Sequence, residues 1–190
     1  ENHDADYIFI THEHFDHFDN QSIKNILKNE SIIVTNKLVA DLLNSSDITI
    51  NQSSVVVLEP NDHLDIDKWV SVDTKPAYNL NKFKEPGIVY HPKENKGLGF
   101  VITINGSEDS VKIYHMGDTD FLPKEQVIEN SDILMIPVGG TYVMTWQEAV
   151  TANDQIKPLV SIPMHFGNRA GILQDATEFV QKIANQGEII

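Results

Sequence analysis

The feature that most constrains this chain is a cluster of metal-ligand side chains placed directly after an apolar segment. Residues 7–10 read Tyr-Ile-Phe-Ile, and they lead into the cluster Thr-His-Glu-His-Phe-Asp-His-Phe-Asp at residues 11–19. Imidazoles and carboxylates at this density suit zinc and similar divalent ions. The alternatives are an accidental histidine-rich loop or histidines that are satisfied inside a core. A metal site is the better interpretation, because a surface loop needs no such density of ligands after a buried strand.

The spacing within the cluster predicts how its side chains are shared. Side chains two positions apart in a strand point to the same side, so His12 and His14 can bind one ion together. Asp16 and His17 lie where the chain turns toward residues 20–29, whose apolar side chains have helical spacing. On that turn they can face a second ion beside the first.

Composition limits the function classes. The chain has 190 residues, of which 41% are hydrophobic, which is enough for a single domain over residues 1–190. Its 28 acidic and 14 basic residues give a formal net charge of -14. Binding to nucleic acids or to anionic membranes depends on concentrated Lys and Arg, and this sequence has no basic cluster. Neither is therefore an expected partner. A small-molecule substrate is expected instead, and a homo-oligomer stays open.

Cysteine is absent, so any metal must be held by nitrogen and oxygen atoms. No apolar run approaches the ~20 residues that a membrane-spanning helix needs, and no signal peptide is visible. We therefore expect a cytoplasmic protein.

Strands and helices alternate along most of the chain. The apolar patterns predict strands at residues 7–10, 32–35, 55–58, 69–73, 100–104, 111–114, 133–136 and 160–162. They predict helices at residues 20–29, 37–43, 146–156 and 176–184. In layered α/β folds the ligand site lies outside the carboxyl ends of the strands, so the strand ends indicate one cleft.

Two further candidate ligands follow strands later in the chain. Asp118 lies in a Gly-Asp-Thr turn after residues 111–114, and His165 follows residues 160–162. Taken alone, Asp118 fits an ordinary turn residue, and His165 fits a hydrogen-bonded histidine. They become candidate metal ligands because they would join a cluster that already holds four.

Together these motifs resemble the metallo-β-lactamase superfamily, through His-x-His-x-Asp-His, Gly-Asp-Thr and a final His, each after a strand. Residues 114–120, 137–141 and 162–167 resemble its branch of small metal-dependent hydrolases related to ascorbate-6-phosphate lactonase. The resemblance covers residues 5–166 and implies an α/β fold, a four-layer αββα sandwich with a dinuclear centre between two sheets. It assigns His12 and His14 to one ion, Asp16, His17 and His165 to the other, and Asp118 to both.

The chain departs from the family pattern in two places. Family members begin with a strand hairpin, whereas this chain starts at Glu1, without an initiator Met, and soon enters a strand. We therefore expect part of the first sheet to be absent. A third histidine for the first ion is also missing, since residues 74–80 contain none. Asn79, a weak oxygen donor, and His91 are the candidates, although His91 equally fits a role beside a ligand, a substrate contact or a plain loop residue.

The resemblance implies hydrolysis by a metal-activated water. Two divalent ions would lower the pKa of that water. Zinc is the expected metal, and manganese and iron are the alternatives. Asp16 would orient the water and take its proton, and Tyr78 or His91 would donate a proton to the leaving group. The expected substrate is a small ester, lactone or phosphodiester. The alternatives are a non-hydrolytic di-iron redox protein and a degenerate scaffold that has lost hydrolysis.

Overall fold

Two β-sheets form the centre of the fold, and helices cover their outer faces. The computed structural model describes residues 4–51, 54–128, 130–167 and 170–183. The first sheet has three parallel strands in the order β1 (Ala5–Ile10), β2 (Leu27–Thr35) and β3 (Val55–Val57). Parallel strands need crossover connections, and these are the helices α1 (Asn20–Ile26) and α2 (Lys37–Ser45).

The second sheet is larger and mixed. Its strands are β4 (His63–Asp65), β5 (Val70–Ala77), β8 (Gly97–Asn105), β9 (Ser110–His115), β10 (Ile133–Pro137) and β11 (Val160–Met164). They lie in the order β11-β10-β9-β8-β5-β4, and the pairs β9–β10 and β10–β11 are parallel. A separate two-stranded hairpin contains β6 (Phe83–Glu85) and β7 (Ile88–Val89). The helices of this half are α3 (Pro123–Gln126), α4 (Trp146–Ile156) and α5 (Leu173–Lys182).

Three apolar clusters separate the layers. The first sheet packs on α1 and α2 through a cluster that includes Ile8, Ile23, Ile33, Val39 and Leu43. The two sheets pack on each other through Val34, Leu58, Val72, Leu98 and Phe100. The second sheet packs on α4 and α5 through a cluster that includes Leu134, Ile136, Ala149, Ala152 and Phe179. The predicted αββα arrangement is therefore confirmed. Among the described residues, no helix has both the length and the apolar character needed to cross a membrane.

The predicted helix at residues 20–29 is wrong in its last part. Helix α1 ends at Ile26, and Leu27 already has the extended angles φ -68° and ψ 130°. Strand β2 begins there because it pairs with β1, with Ala5 opposite Leu27. The helical spacing of the apolar residues continues past Ile26, but pairing with a neighbouring strand overrides it.

Other boundaries also differ from the predictions. Strand β5 extends to Ala77 and includes Pro76, whose carbonyl accepts a hydrogen bond from the Gln126 side chain. Proline is tolerated there because β4 pairs only with residues 71–73, which leaves an open edge. Helix α5 begins before the predicted residue 176, and Ala184 lies outside the described residues. The sequence did not predict β4, α3 or the β6–β7 hairpin.

Candidate metal centre

The carboxyl ends of three strands bring the predicted ligands to one edge of the two sheets. Strand β1 leads to His12, β9 leads to Asp118, and β11 leads to His165. His12 is 5% exposed and Asp118 is 3% exposed, so both polar side chains are buried where the strands end. The cleft that the strand ends indicated therefore exists.

The first group of side chains contains three histidines whose ring nitrogens converge. His14 Nδ1 lies 3.1 Å from His12 Nε2 and 3.1 Å from His91 Nε2. Tetrahedral zinc with Zn–N bonds of ~2.0–2.1 Å would separate two nitrogen ligands by ~3.3–3.4 Å. The nitrogens thus have nearly the spacing that a metal ion requires, and the group could hold one.

The second group contains Asp16, His17, Asp118 and His165. Asp118 Oδ1 lies 3.2 Å from His17 Nε2, and Asp118 Oδ2 lies 2.9 Å from His165 Nε2. Asp16 Oδ2 lies 3.8 Å from His17 Nε2 and 3.9 Å from His165 Nε2. The ligand atoms all lie within 4.8 Å of one another, so this group could also hold a metal ion.

Asp118 lies between the two groups. Its Oδ2 atom is 3.2 Å from His91 Nε2 and 3.8 Å from His12 Nε2, in addition to its contacts with the second group. Burial by itself would raise the pKa of Asp118, but the hydrogen bond from His165 holds this pKa well below its usual range. The side chain is therefore a carboxylate that can offer oxygen to both groups.

The charge states and one unpaired atom both fit a bound cation. Burial, together with the neighbouring His17, lowers the pKa of His12 to about 2, so its ring is neutral and keeps a lone pair. Asp118 Oδ1 is buried and makes no hydrogen bond within the described part of the chain, although His17 Nε2 is close. A buried anionic oxygen without a hydrogen bond is costly, and a cation would compensate it. Nitrogen and oxygen donors of this kind suit a divalent metal ion.

Two glycines allow the backbone to reach these positions. Gly117 has φ +70°, and a Cβ there would lie 2.7 Å from the Leu98 carbonyl oxygen, so the turn into Asp118 requires glycine. At Gly139, a Cβ would lie 2.3 Å from the His165 carbonyl oxygen. His165 itself has φ 57°, a left-handed conformation that is uncommon outside glycine and is found at functional sites.

Comparison with known proteins identifies the family. Residues 1–165 match the family described as the Beta-lactamase superfamily domain. A UPF0173 metal-dependent hydrolase of Nanoarchaeum equitans is 30% identical over 187 residues, which cover 97% of this chain and 80% of that protein. The chain belongs to the metallo-β-lactamase superfamily.

Solved structures share the metallo-β-lactamase fold with this chain. A candidate metal-dependent hydrolase from Parabacteroides distasonis has a TM-score of 0.78 at 25% identity, over 98% of this chain and 76% of that one. Igni18, a metallo hydrolase from Ignicoccus hospitalis, has a TM-score of 0.71 at 21% identity, over 97% of this chain and 75% of that one. The relatives with similar sequences are named UPF0173 metal-dependent hydrolases. The chain is therefore a metal-dependent hydrolase, which confirms the hydrolase interpretation.

In this member of the superfamily, the structure separates the two candidates for the missing third histidine. His91 Nε2 belongs to the first group, whereas Asn79 Oδ1 accepts hydrogen bonds from the His91 backbone N–H at 2.9 Å and from His91 Nδ1 at 3.0 Å. The other partner of His91 Nδ1, the Tyr142 carbonyl oxygen at 3.1 Å, is also an acceptor. His91 Nδ1 therefore carries a proton, and Nε2 is the ring nitrogen that faces His14 and Asp118. Asn79 orients the histidine and is not placed as a ligand.

The loop that carries His91 is fixed by buried charges. Lys82 is 8% exposed, and its Nζ lies 3.1 Å from Asp120 Oδ1 and 2.9 Å from Glu148 Oε2. Asp120 Oδ2 also accepts hydrogen bonds from two backbone N–H groups of the same loop, at 2.6 and 3.0 Å. The loop is thus tied to the turn that contains Asp118 and to the start of α4, and this connection brings His91 into the site.

Tyr78 lies on the other side of this loop, away from the ligand groups. Its hydroxyl donates to Glu125 Oε1 at 3.1 Å, and Lys93 Nζ lies 4.8 Å from its ring centre. Tyr78 does not line the cavity beside the ligands. Successive side chains of an extended segment point to opposite sides, so Asn79 faces the site and Tyr78 does not. The structure therefore gives no support to Tyr78 as a proton donor.

A cavity of about 280 Å³ opens beside the two ligand groups. Apart from ligand side chains, it is lined by Phe15, Tyr90, Tyr142 and Ala170. Neither tyrosine is predicted as a site residue from the sequence, because neither has metal-ligand chemistry and only the fold brings them here. The one available signal was that the loop after residues 133–136 leads into the cleft, and Tyr142 follows that loop.

Thr11 contacts an imidazole of each group. Its Oγ1 lies 2.9 Å from His12 Nδ1 and 3.0 Å from His17 Nδ1. A hydroxyl oxygen has two lone pairs and can accept a hydrogen bond from both rings. Both Nε2 atoms are then left to face the centre, so Thr11 orients two candidate ligands at once.

We expect Thr11→Val to weaken metal binding at both groups by ~10–100-fold, because valine has the same shape but no acceptor for the ring N–H groups. Competition against a chromophoric chelator would measure the two affinities. Thr11→Ser keeps the hydroxyl and should retain the wild-type affinities. An equal loss in the valine and serine variants would show that packing, and not the hydrogen bonds, is responsible.

Proposed function

We propose that this protein hydrolyses a small ester, lactone or phosphodiester with the help of two bound divalent ions. Zinc is the preferred identity of these ions, and manganese and iron are the alternatives. The lactone option follows the resemblance of its motifs to the ascorbate-6-phosphate lactonase branch. One observation carries the proposal: two ligand groups lie side by side with the carboxylate of Asp118 between them. The formal charge of -14 supports a small-molecule substrate over a nucleic acid.

The proposed ligands are supplied by both groups. They are His12, His14 and His91 in the first, Asp16, His17 and His165 in the second, and Asp118 shared. Bound there, two divalent ions would lower the pKa of a water to near neutrality and stabilise the negative charge that develops on the substrate oxygen. His91 is assigned as a ligand and not as a proton donor, since its Nδ1 is engaged by Asn79 and its Nε2 faces Asp118.

We assign to Asp16 the roles of orienting the attacking water and moving its proton. Its side chain is 45% exposed and lines the cavity, while its Oδ2 lies 3.8 Å from His17 Nε2. It is therefore adjacent to the ligand groups and open to a substrate. Hydrolysis adds the water OH to the acyl carbon or phosphorus, breaks the bond to the leaving oxygen, and transfers the remaining proton to that oxygen. Asp16 can carry this proton between the two oxygens.

A metal titration tests the proposal. Protein stripped with a chelator should regain hydrolysis as zinc, manganese or ferrous iron is added, and the gain should saturate at two ions per chain. Bound metal would be measured by mass spectrometry, and turnover with nitrophenyl esters, a lactone series and bis(nitrophenyl) phosphate. Saturation at one ion, or a fully loaded protein that hydrolyses none of these substrates, would contradict the proposal.

A further inference from the structure

The cavity beside the ligand groups has an aromatic wall. Among the residues that the structure describes, those that line it outside the ligand groups are aromatic or alanine, namely Phe15, Tyr90, Tyr142 and Ala170. None of the described lining residues is Lys or Arg. At about 280 Å³, the cavity is close to the lower limit of small-molecule sites. Its surface beyond the ligands therefore favours a small apolar group.

The two tyrosines are held by the same contacts that position His91. Their rings meet edge to face, with centroids 4.7 Å apart and an interplanar angle of 82°. The Tyr142 carbonyl oxygen accepts from Asn79 Nδ2 at 3.0 Å, and the Tyr90 N–H donates to the Lys82 carbonyl oxygen at 3.0 Å. The tyrosine wall is thus preformed, which lowers the entropy cost of binding a group against it.

Phe15 is the exposed part of the wall. It lies between His14 and Asp16 in the sequence, lines the cavity and is 75% exposed. Covering an exposed aromatic ring with an apolar group is favourable, because it removes both surfaces from water. An apolar substituent that enters beside the ligands would bring this gain.

Charge disfavours an anionic substrate. The chain carries a formal net charge of -14, and two divalent ions would offset only a small part of it. The electrostatic field of this net negative charge repels an approaching anion and lowers the rate at which the anion associates with the protein. An uncharged ester or lactone avoids this repulsion, whereas a phosphodiester does not.

We propose that the substrate is an uncharged ester or lactone with an apolar alkyl or aryl group that packs against Phe15, Tyr90 and Tyr142. This inference rests on the proposed hydrolytic function. Water adds its OH to the acyl carbon, the acyl–oxygen bond breaks, and the remaining proton goes to the leaving oxygen. An ester yields a carboxylic acid and an alcohol, and a lactone yields a hydroxy acid.

An acyl-length series tests the inference on the metal-loaded protein. From nitrophenyl acetate to the butyrate, kcat/KM should rise by ~10-fold or more, as expected for added methylenes in an apolar pocket. Phe15→Ala should flatten this rise. Phe83→Ala is the matched control, because Phe83 is 52% exposed on β6 and does not line the cavity, and it should leave the rise unchanged. The inference would be overturned if kcat/KM were higher for bis(nitrophenyl) phosphate than for the nitrophenyl esters. It would also be overturned if kcat/KM for the esters did not depend on acyl length.

A binding series separates this inference from the hydrolytic function. Amides are hydrolysed far more slowly than esters, so N-methylacetamide to N-methylhexanamide can serve as binding probes in ligand-observed NMR. Affinity should rise with chain length in the wild type and in Phe83→Ala, but not in Phe15→Ala. That result without ester turnover would uphold the apolar site and refute the hydrolytic function. Ester turnover with no chain-length dependence in either series would uphold the hydrolytic function and refute the apolar site.

Discussion

His91→Ala should lower the bound metal from two ions per chain to one. The substitution removes the imidazole whose Nε2 lies 3.1 Å from His14 Nδ1, and it leaves two histidines in the first group. Two neutral nitrogens hold a divalent ion much less tightly than three. We expect kcat/KM to fall by at least ~100-fold, the upper range for loss of a group that merely orients a ligand. Metal analysis after gel filtration would give the stoichiometry.

His63→Ala is the matched control for this variant. His63 is an exposed histidine on β4, and its Nδ1 lies 2.8 Å from Asp73 Oδ1, outside both ligand groups. This control should keep two ions and wild-type turnover. Two tightly held ions in His91→Ala would remove the ligand role that we assign to His91. Asn79→Ala should give a milder loss of affinity, ~10–100-fold, because the imidazole stays but loses its orienting partner.

Asp16→Ala should remove nearly all turnover while the fold stays intact. The carboxylate is the one group of the second set that is both well exposed to the cavity and near the ligands, so we assign it the proton transfer. Loss of a positioned acid–base group typically costs ~10²–10⁴-fold in rate. The measurement is kcat at saturating metal, so that weaker metal binding does not contribute, with circular dichroism to confirm the fold.

Asp19→Ser provides the control, because Asp19 caps α1 by accepting from the Ser22 N–H at 2.7 Å and serine can keep that cap. This variant also removes a carboxylate from the same segment but should retain activity. Retained turnover in Asp16→Ala would show that another group moves the proton.

The local part of the site could be predicted from the sequence. His12, His14, Asp16 and His17 lie within one strand end and one turn, so the period of the strand is enough to group them. Asp118 and His165 could be added because parallel strands end at the same edge of a sheet. For these residues, the short-range pattern and the layered architecture agree with each other.

His91 could not be assigned from the sequence because its position depends on contacts distant in the chain. Its loop is fixed by the pairing of Lys82 with Asp120 and Glu148, and no periodicity encodes that pairing. Tyr78 lies away from the cavity for a smaller reason, since a shift of one position in an extended segment reverses the side that a residue faces. The helix predicted at residues 20–29 similarly ends early because a neighbouring strand, which local spacing does not reveal, pairs with the chain at Leu27.

The ligand side chains come from both halves of the sandwich. The segment after β1 in the first sheet supplies one set, and Asp118 and His165 follow strands of the second sheet. Cations held in common would act as cross-links between the halves, and an unfolded chain could not reproduce that arrangement. At a free metal concentration ~1,000 times the Kd, each such ion would add about 4 kcal/mol to the free energy of unfolding. Metal supply would then govern how much of the protein survives heat or proteolysis, as well as how fast it works.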